Sequence, residues 1–426
     1  MKVTKTTIDF KPDHYLNVSC DVHKKVLYFL ARLPGFEYSD TCENRTRDIE
    51  RKLRQFADIA QEHGKQTIRV VCEPTGEYDR GLLRTAHRLG FMTAYVNTEN
   101  VKKYRQIETN DDGKTDTKDP RGIGSLADQE RVIQIRDLDE KYVTLRKLGA
   151  VAEEEEVAIV RLKNRLHREI FNFFADYDMK KDFLYTKSGR ALVNNYGCNP
   201  YRIVRAGFKR FERRMRKSAK GIRTKTLNRL WHAANASVLH ELPDMYGQIL
   251  EERIRQLYRD CEQHIERKEK IEGRMIDIVN ELRRQDPRIP PPTPRVISEK
   301  NLAKLLAEIC SPADFESPRQ LLRYVGLNLR ERESGRYVGL TRICKKGRSR
   351  ARKVLGNIVL PLVPRHKLYG KFYHHKRDVD RMCGNKAMVV VMRNFLRKFW
   401  GWYHAGGGEF DETRWFTCQS QAEDAA

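Results

Sequence analysis

Ten positions between Leu250 and Leu282 constrain this chain more than any other stretch. Leu250, Ile254, Leu257, Cys261, His264, Lys268, Ile271, Met275, Ile278 and Leu282 follow one another at alternating spacings of four and three. Only a helix keeps such a set on one face, and the pattern is a heptad seam of a and d positions. Two of the ten, His264 and Lys268, are polar. The seam reads either as the buried face of an ordinary helix pair or as a dimerising coiled coil, in which the polar pair fixes register at some cost in stability. The second reading is preferred. A helical stretch from about Leu138 to Asp176 is the partner in sequence, with an acidic turn at Glu153–Glu156 and apolar Val157, Val160 and Leu162.

Ahead of these helices the periodicity changes. In Leu16–Val22, Val18, Cys20 and Val22 share one face and Asn17, Ser19 and Asp21 the other, which is a strand presenting an acid from its polar side. Val26–Ala31 is predicted to pair with it. A charged helix near Asn44–His63 follows, then the β-rich run Thr67–Glu73, which ends in an acid just before the turn signal Pro74-Thr75-Gly76. A helix from about Tyr78 to Leu89 and a strand at Phe91–Val96 complete a mixed sheet with helices on its faces. Lys114-Thr115-Asp116-Thr117-Lys118-Asp119-Pro120 then opens a further helix, predicted to run on through Leu126. Residues at i and i+3 share a helical face, so Asp116 and Asp119 can point at one spot, and Asp119 is a candidate cap before Pro120. Two converging carboxylates suit a hard cation such as magnesium, although a solvated cap beside a second acid has the same residues. An acid in one strand, an acid ending another and a pair on a following helix form the layout of an RNase H-like nuclease core, in which two metal ions clamp a phosphodiester.

Cys20-Asp21-Val22-His23-Lys24-Lys25, Glu73-Pro74-Thr75-Gly76-Glu77-Tyr78 and Lys114–Asp119 resemble the three motifs of the DEDD insertion-sequence transposases, the "one-ten" family of bridge-RNA-guided recombinases. The resemblance implies a RuvC-like N-terminal domain whose four acids fall on Asp21, Glu73, Asp116 and Asp119 and bind Mg2+ or Mn2+. The chain departs from the family pattern at Cys20, where an aliphatic residue is usual, and at Pro120, where a small one is.

Charge narrows the partner. With 83 Lys and Arg against 58 Asp and Glu the formal net charge is +25, which points to a polyanion, and nucleic acid is the best candidate. No run approaches the length of a membrane-spanning helix, Met1–Asp13 has no signal-peptide core, and the nine cysteines contain no Cys-x-x-Cys pair. The expectation is a cytoplasmic, prokaryotic protein with reduced thiols, nucleoid-associated when bound to DNA, and with no membrane partner.

Between the two long helices lies a stretch of roughly 65 residues that the family pattern does not account for. Its segment Arg202–Arg229 holds twelve basic residues against one acid, Glu212. Arg205, Lys209, Arg210, Arg213, Arg214, Arg216 and Lys217 are candidate phosphate contacts, and the interleaved Tyr201, Phe208, Phe211 and Trp231 are candidates for stacking on unpaired bases. The residues leave the choice between RNA and DNA open.

Pro287–Pro294 is stiff and extended, a natural boundary. Beyond it come an apolar helix at Leu302–Ile309, a helix capped by Ser317, and a polar loop leading into the basic run Cys344–Lys353. Most Ser-Gly pairs are turns, but the family's C-terminal domain has a Gly-Leu, Glu-Ser-Gly, Lys-x-Gly and Arg-x-x-Leu pattern. These fit Gly326-Leu327, Glu333-Ser334-Gly335, Lys345–Gly347 and Arg352–Leu355. The resemblance makes Ser334 the nucleophile that links to DNA, with Arg332, Lys345, Lys346, Arg348 and Arg350 as nucleic-acid contacts. A last helix near Lys386–Tyr403 carries Phe395, Phe399 and Trp400 as core.

The expected plan is a RuvC-like DEDD domain over 14–135, a helical coiled-coil middle over 136–286 with the basic insertion at about 177–240, a mainly α C-terminal transposase domain over 295–405, and a disordered tail over 406–426. The resemblance implies RNA-guided cleavage and exchange of donor and target DNA, a structured noncoding RNA as guide, and a homodimer or higher homo-oligomer. The alternatives are a RuvC-type junction resolvase that needs no serine, and a nucleic-acid scaffold without catalysis.

Overall fold

The computed structural model describes residues 14–33, 35–109, 118–135, 139–180, 182–238, 244–330, 333–334, 337–338, 342–411 and 415. The chain divides into two compact units, Met1–Asp137 and Leu138–Ala426.

The first unit is a mixed sheet flanked by helices, an arrangement consistent with an RNase H-like domain. Its elements are β1 (Tyr15–Val22), β2 (Val26–Leu33), β3 (Phe36–Glu43), α1 (Thr46–Glu62), β4 (Thr67–Cys72), α2 (Arg80–Arg88), β5 (Met92–Tyr95), α3 (Thr98–Thr109), α4 (Lys118–Asp128) and β6 (Ile133–Gln134). The strands lie in the order β3-β2-β1-β4-β5-β6. β1, β4 and β5 are parallel, while β2, β3 and the two-residue β6 run antiparallel to their neighbours. Val18, Cys20 and Val22 pack with Ile49, Leu53 and Phe56 of α1 and Leu82 and Ala86 of α2 in one core layer. Val71, Ala94, Val101 and Ile123 form the layer on the opposite face, under α3 and α4. Cys20 is fully buried. It stands where the family pattern has an aliphatic residue and fills the same kind of space, with burial pushing its thiol well above the ordinary value. The edge strand β3, Phe-Glu-Tyr-Ser-Asp-Thr-Cys-Glu, was not expected; its alternation lacks apolar weight because one side faces solvent.

The second unit is helical apart from four two-residue strands among the described residues. α5 (Glu140–Phe173) and α10 (Asp244–Gln285) are its spine. Tyr142, Leu145, Ala152, Ile159, Leu166, Ile170 and Phe173 form the buried stripe of α5. α10 runs antiparallel to it: a Cβ on Gly149 would lie 3.7 Å from Met275, and one on Gly247 3.9 Å from Phe173. The seam of α10 is therefore buried inside the chain, with Ile254 and Cys261 at 0% exposure. Its polar interruptions meet the acidic turn, His264 Nδ1 lying 2.5 Å from Glu155 Oε2 and Lys268 3.3 Å from Glu156.

Four short helices, α6 (Lys187–Tyr196), α7 (Pro200–Ala206), α8 (Phe208–Ser218) and α9 (Thr224–Ser237), make up the insertion. They share one core with the adjoining ends of α5 and α10. The remainder comprises α11 (Glu299–Ile309), α12 (Pro318–Val325), β7 (Leu329–Arg330), β8 (Glu333–Ser334), β9 (Tyr337–Val338), β10 (Arg342–Ile343), α13 (Ser349–Arg365), α14 (Lys367–His374) and α15 (Gly384–His404). Ser298 and Ser317 cap α11 and α12 through Asn301 N and Gln320 N. Phe395 and Phe399 are fully buried, as expected. The folded part runs past Gly406–Gly408, the expected start of a disordered tail. Trp415 is 5% exposed, and its indole N–H donates to Tyr369 Oη at 2.7 Å. Among the described residues no helix is long and apolar enough to cross a membrane.

Candidate active site and nucleic-acid interface

The parallel pairing of β1 with β4 sets Cys20 opposite Cys72. Asp21 and Glu73 are the next residues, so the two acids sit side by side where adjacent parallel strands end. The Asp21 side chain is 14% exposed and is held by His23, whose Nε2 lies 3.0 Å from Asp21 Oδ2. His23 is two residues on and shares Asp21's face of the strand; that spacing was visible in the sequence and its meaning was missed.

α4 approaches the same end of the sheet. Asn17 Nδ2 donates to Asp128 Oδ1 at 2.8 Å, and a Cβ on Gly124 would lie 3.2 Å from Ser19 Oγ. Each step of two residues up β1 matches four residues back along α4, about 6 Å in either element. The progression brings the first turn of α4, with Asp119, toward Asp21. Gly124 permits this approach, since Arg32 Nη2 would be 3.1 Å from a Cβ there. α4 begins at Lys118, so Asp119 and Pro120 stand inside its first turn and Asp119 is not the cap that was expected. Proline is tolerated there because first-turn amides have no intrahelical acceptor. The Asp119 side chain and all of Asp116 lie outside the described residues.

A third acid of this region escaped the sequence reading. Asp79 is 1% exposed and accepts a 2.7 Å hydrogen bond from Tyr95 Oη, while its Oδ1 has no partner among the described residues. Burial, then the Asp79 carboxylate, pushes the Tyr95 hydroxyl well above its ordinary value. This bond ties the loop after Glu73 to β5.

In the second unit the loop carrying Ser334 is a short ribbon. β7 pairs antiparallel with β10, and further along the chain Glu333 and Ser334 pair antiparallel with Val338 and Tyr337. The backbone of Ser334 is thus the inner end of a short antiparallel pairing. The Ser334 side chain and Arg332 lie outside the described residues. Two glycines clamp the stem: a Cβ on Gly347 would lie 2.5 Å from Tyr324 O and 2.7 Å from Gly326 N. Arg352 of α13 closes the clamp by donating to Val325 O at 2.8 Å. The Gly-Leu, Lys-x-Gly and Arg-x-x-Leu elements of the pattern therefore meet at one structural joint. Lys345 and Lys346 are exposed. Arg348 is not the free contact expected, because it pairs at 2.8 Å with Glu308, whose side chain is 4% exposed. Arg350 likewise pairs with Glu153 at 2.7 Å. Arg146 of α5 donates to Tyr324 Oη at 3.0 Å and to Cys310 Sγ at 2.8 Å, fixing the floor under the joint.

The basic insertion sorts cleanly. Lys209, Arg210, Arg213, Arg214, Arg216 and Lys217 are all exposed on α8, and Arg205 is exposed on α7. Arg216 is tied to Glu212 at 2.8 Å, and the Arg214 guanidinium lies 5.6 Å from the centre of the Tyr196 ring. The four aromatics expected to stack on bases are packed to different degrees: Tyr201, Phe208 and Trp231 are half-buried against the insertion's core. Phe211 is fully buried, Phe208 and Trp231 pack edge to face at 5.6 Å, and Tyr201 stacks on Phe173.

Among the described residues no three His, Cys, Asp or Glu side chains form a group able to hold a metal. Asp21 and Glu73 nevertheless fit a hard divalent cation as donors, being oxygen ligands brought together at one sheet end. Residues 35–174 match the profile of the DEDD transposases of IS110 type, and residues 294–375 that of the Transposase IS116/IS110/IS902 family. The first match includes Glu73, Asp116 and Asp119 and begins after Asp21; the second includes Ser334. No curated protein matches the chain.

Proposed function

Since this chain belongs to the IS110-type DEDD transposases, a family of DNA-processing enzymes, we propose that it cleaves and exchanges DNA strands as a recombinase of an insertion sequence. The observation that carries the proposal is the convergence of Asp21 and Glu73 at adjacent strand ends, with the first turn of α4 directed to the same end. Asp21, Glu73, Asp116 and Asp119 hold Mg2+ or Mn2+ in this reading. A divalent ion there supplies positive charge to the scissile phosphate. Ser334 Oγ attacks the phosphorus and forms a phosphoserine ester as the P–O bond to the leaving strand breaks. The serine proton passes to the leaving oxygen or to solvent. The ester conserves the bond energy that rejoining needs.

The family's guide RNA enters the proposal as the sequence reader, with the protein binding RNA shape and backbone. Lys345 and Lys346 and the exposed cations of the insertion are assigned to nucleic acid. The homodimer is assigned to the outer side of the spine, because the α10 seam already faces α5 within one chain. Val143, Val157, Val160 and Phe171 are exposed along α5, and Val143, Val157 and Phe171 stand at multiples of seven.

The test is the fate of DNA under two substitutions. Ser334→Ala should abolish both the covalent protein–DNA adduct and strand exchange, and Asp21→Asn should do the same at undiminished duplex binding. Full cleavage by the Ser334→Ala protein would instead establish a metal-dependent nuclease of the resolvase kind. Full recombination by the Asp21→Asn protein would remove the acids from the mechanism.

A further inference from the structure

The insertion lies between the two matched regions, so no family pattern assigns it a task. On α8, Phe211 and Met215 point into the core at 0% exposure. The six cations of α8 occupy exposed positions around the rest of the helix. At about 100° per residue they fan over an arc of roughly 160°. Lys209, Arg213 and Lys217 follow at intervals of four, about 6 Å apart along the axis. None of these three, nor Arg210, meets a carboxylate among the described residues.

Three features select the ligand. The cations want phosphates. A single strand held by stacking needs open aromatic faces beside the charge, and here Phe211 is fully buried while Tyr201, Phe208 and Trp231 are half-buried against the insertion's core and Phe173. A helix with its side chains is about 10–12 Å across, which matches the roughly 12 Å major groove of B-form DNA. The A-form major groove is too narrow for side chains to read. An arc of charge on both flanks of one helix also meets both phosphate walls of a groove at once. We propose that α8 docks in the major groove of duplex DNA, making the insertion a DNA-holding module of this chain. The inference rests on the reading of the insertion as a nucleic-acid contact and is independent of the acids and Ser334.

The experiment measures binding of the full chain by fluorescence anisotropy between 50 and 200 mM salt. The probes are a DNA duplex, an RNA duplex of the same sequence, and the single strands. The variant is Lys209→Gln/Arg213→Gln/Lys217→Gln. A charge-matched control carries Arg51→Gln, Arg54→Gln and Arg88→Gln, whose side chains are ion-paired to Asp48 and Glu50. The α8 variant should bind DNA duplex about tenfold or more weakly at 100 mM salt, with a salt slope shallower by about 2.7, or 0.9 per lost contact. RNA duplex, single strands and the control protein should stay within about twofold of the unaltered pairings. Equal loss on RNA or single strands overturns the duplex-DNA assignment and leaves the contact itself standing. No change with any probe overturns both. A preserved melting transition by circular dichroism confirms that the variant is folded.

Discussion

Substituting Gly347 by alanine tests the joint beneath the Ser334 ribbon, with Gly356→Ala as its companion. Gly347 has φ +148°, where a side chain is strained, and its Cβ would meet backbone on every side: Tyr324 O at 2.5 Å, Gly326 N at 2.7 Å and Val325 C at 2.9 Å. None of these atoms can swing aside as a flexible side chain would. Backbone strain costs roughly 1–3 kcal/mol, and forcing a methyl into a packed joint a further 1–3 kcal/mol or so, giving about 2–6 kcal/mol in all. Gly356 lies nine residues on, inside α13, with nothing within 4 Å of its Cβ position. There alanine should gain about 0.5–1 kcal/mol by lowering the chain entropy lost on folding. Urea unfolding followed by tryptophan fluorescence reads the right region, because Trp400, Trp402 and Trp415 belong to or pack against the C-terminal core. The Gly347→Ala midpoint should fall and the Gly356→Ala midpoint should rise. The proposed serine–DNA adduct should be lost only in the first. Equal midpoints, or shifts of the same sign, would refute the claim that the two loop limbs are held by glycine contact.

If the proposed homodimer forms through the outer side of α5, Val157→Glu with Val160→Glu should yield a monomer by light scattering while leaving the melting temperature within about 2 °C, since surface changes cost little; a persisting dimer would place the interface elsewhere. Glu272 has a side chain only 6% exposed, and although burial pushes its carboxyl up, Lys304 at 2.6 Å and Lys300 at 3.0 Å hold it below the ordinary value. A lowered acid contributes stability above its unfolded value of about 4.5 and loses it as pH falls through the lower folded value. Glu272→Gln should therefore cost roughly 1–3 kcal/mol at pH 7, discounted for the partly exposed lysines, and flatten the acid limb of stability below about pH 4.5. An unaltered acid limb would mean that other carboxylates carry it.

By itself the sequence determined whatever depends on periodicity or on local chemistry. The strand alternation around Asp21, the turn after Glu73, the heptad seam of α10 and the Ser317 cap are all local patterns, and each stands in the fold where the pattern puts it. The sequence also carried the family motifs, because Asp21 and Glu73 owe their nearness to strand ends that the motifs mark. Tertiary structure decided the partners. The seam's polar pair is matched to Glu155 and Glu156, a hundred residues away in sequence, and nothing in either stretch names the other. Arg348 and Arg213 are both arginines in basic runs, yet Glu308 pairs with one and, among the described residues, no acid pairs with the other. Phe211 looked like a stacking platform until its helix turned it inward, and Trp415 was read as tail until Tyr369 held it. In each case the deciding quantity is which long-range neighbour removes the side chain from water, and that is a property of packing that no local spacing encodes.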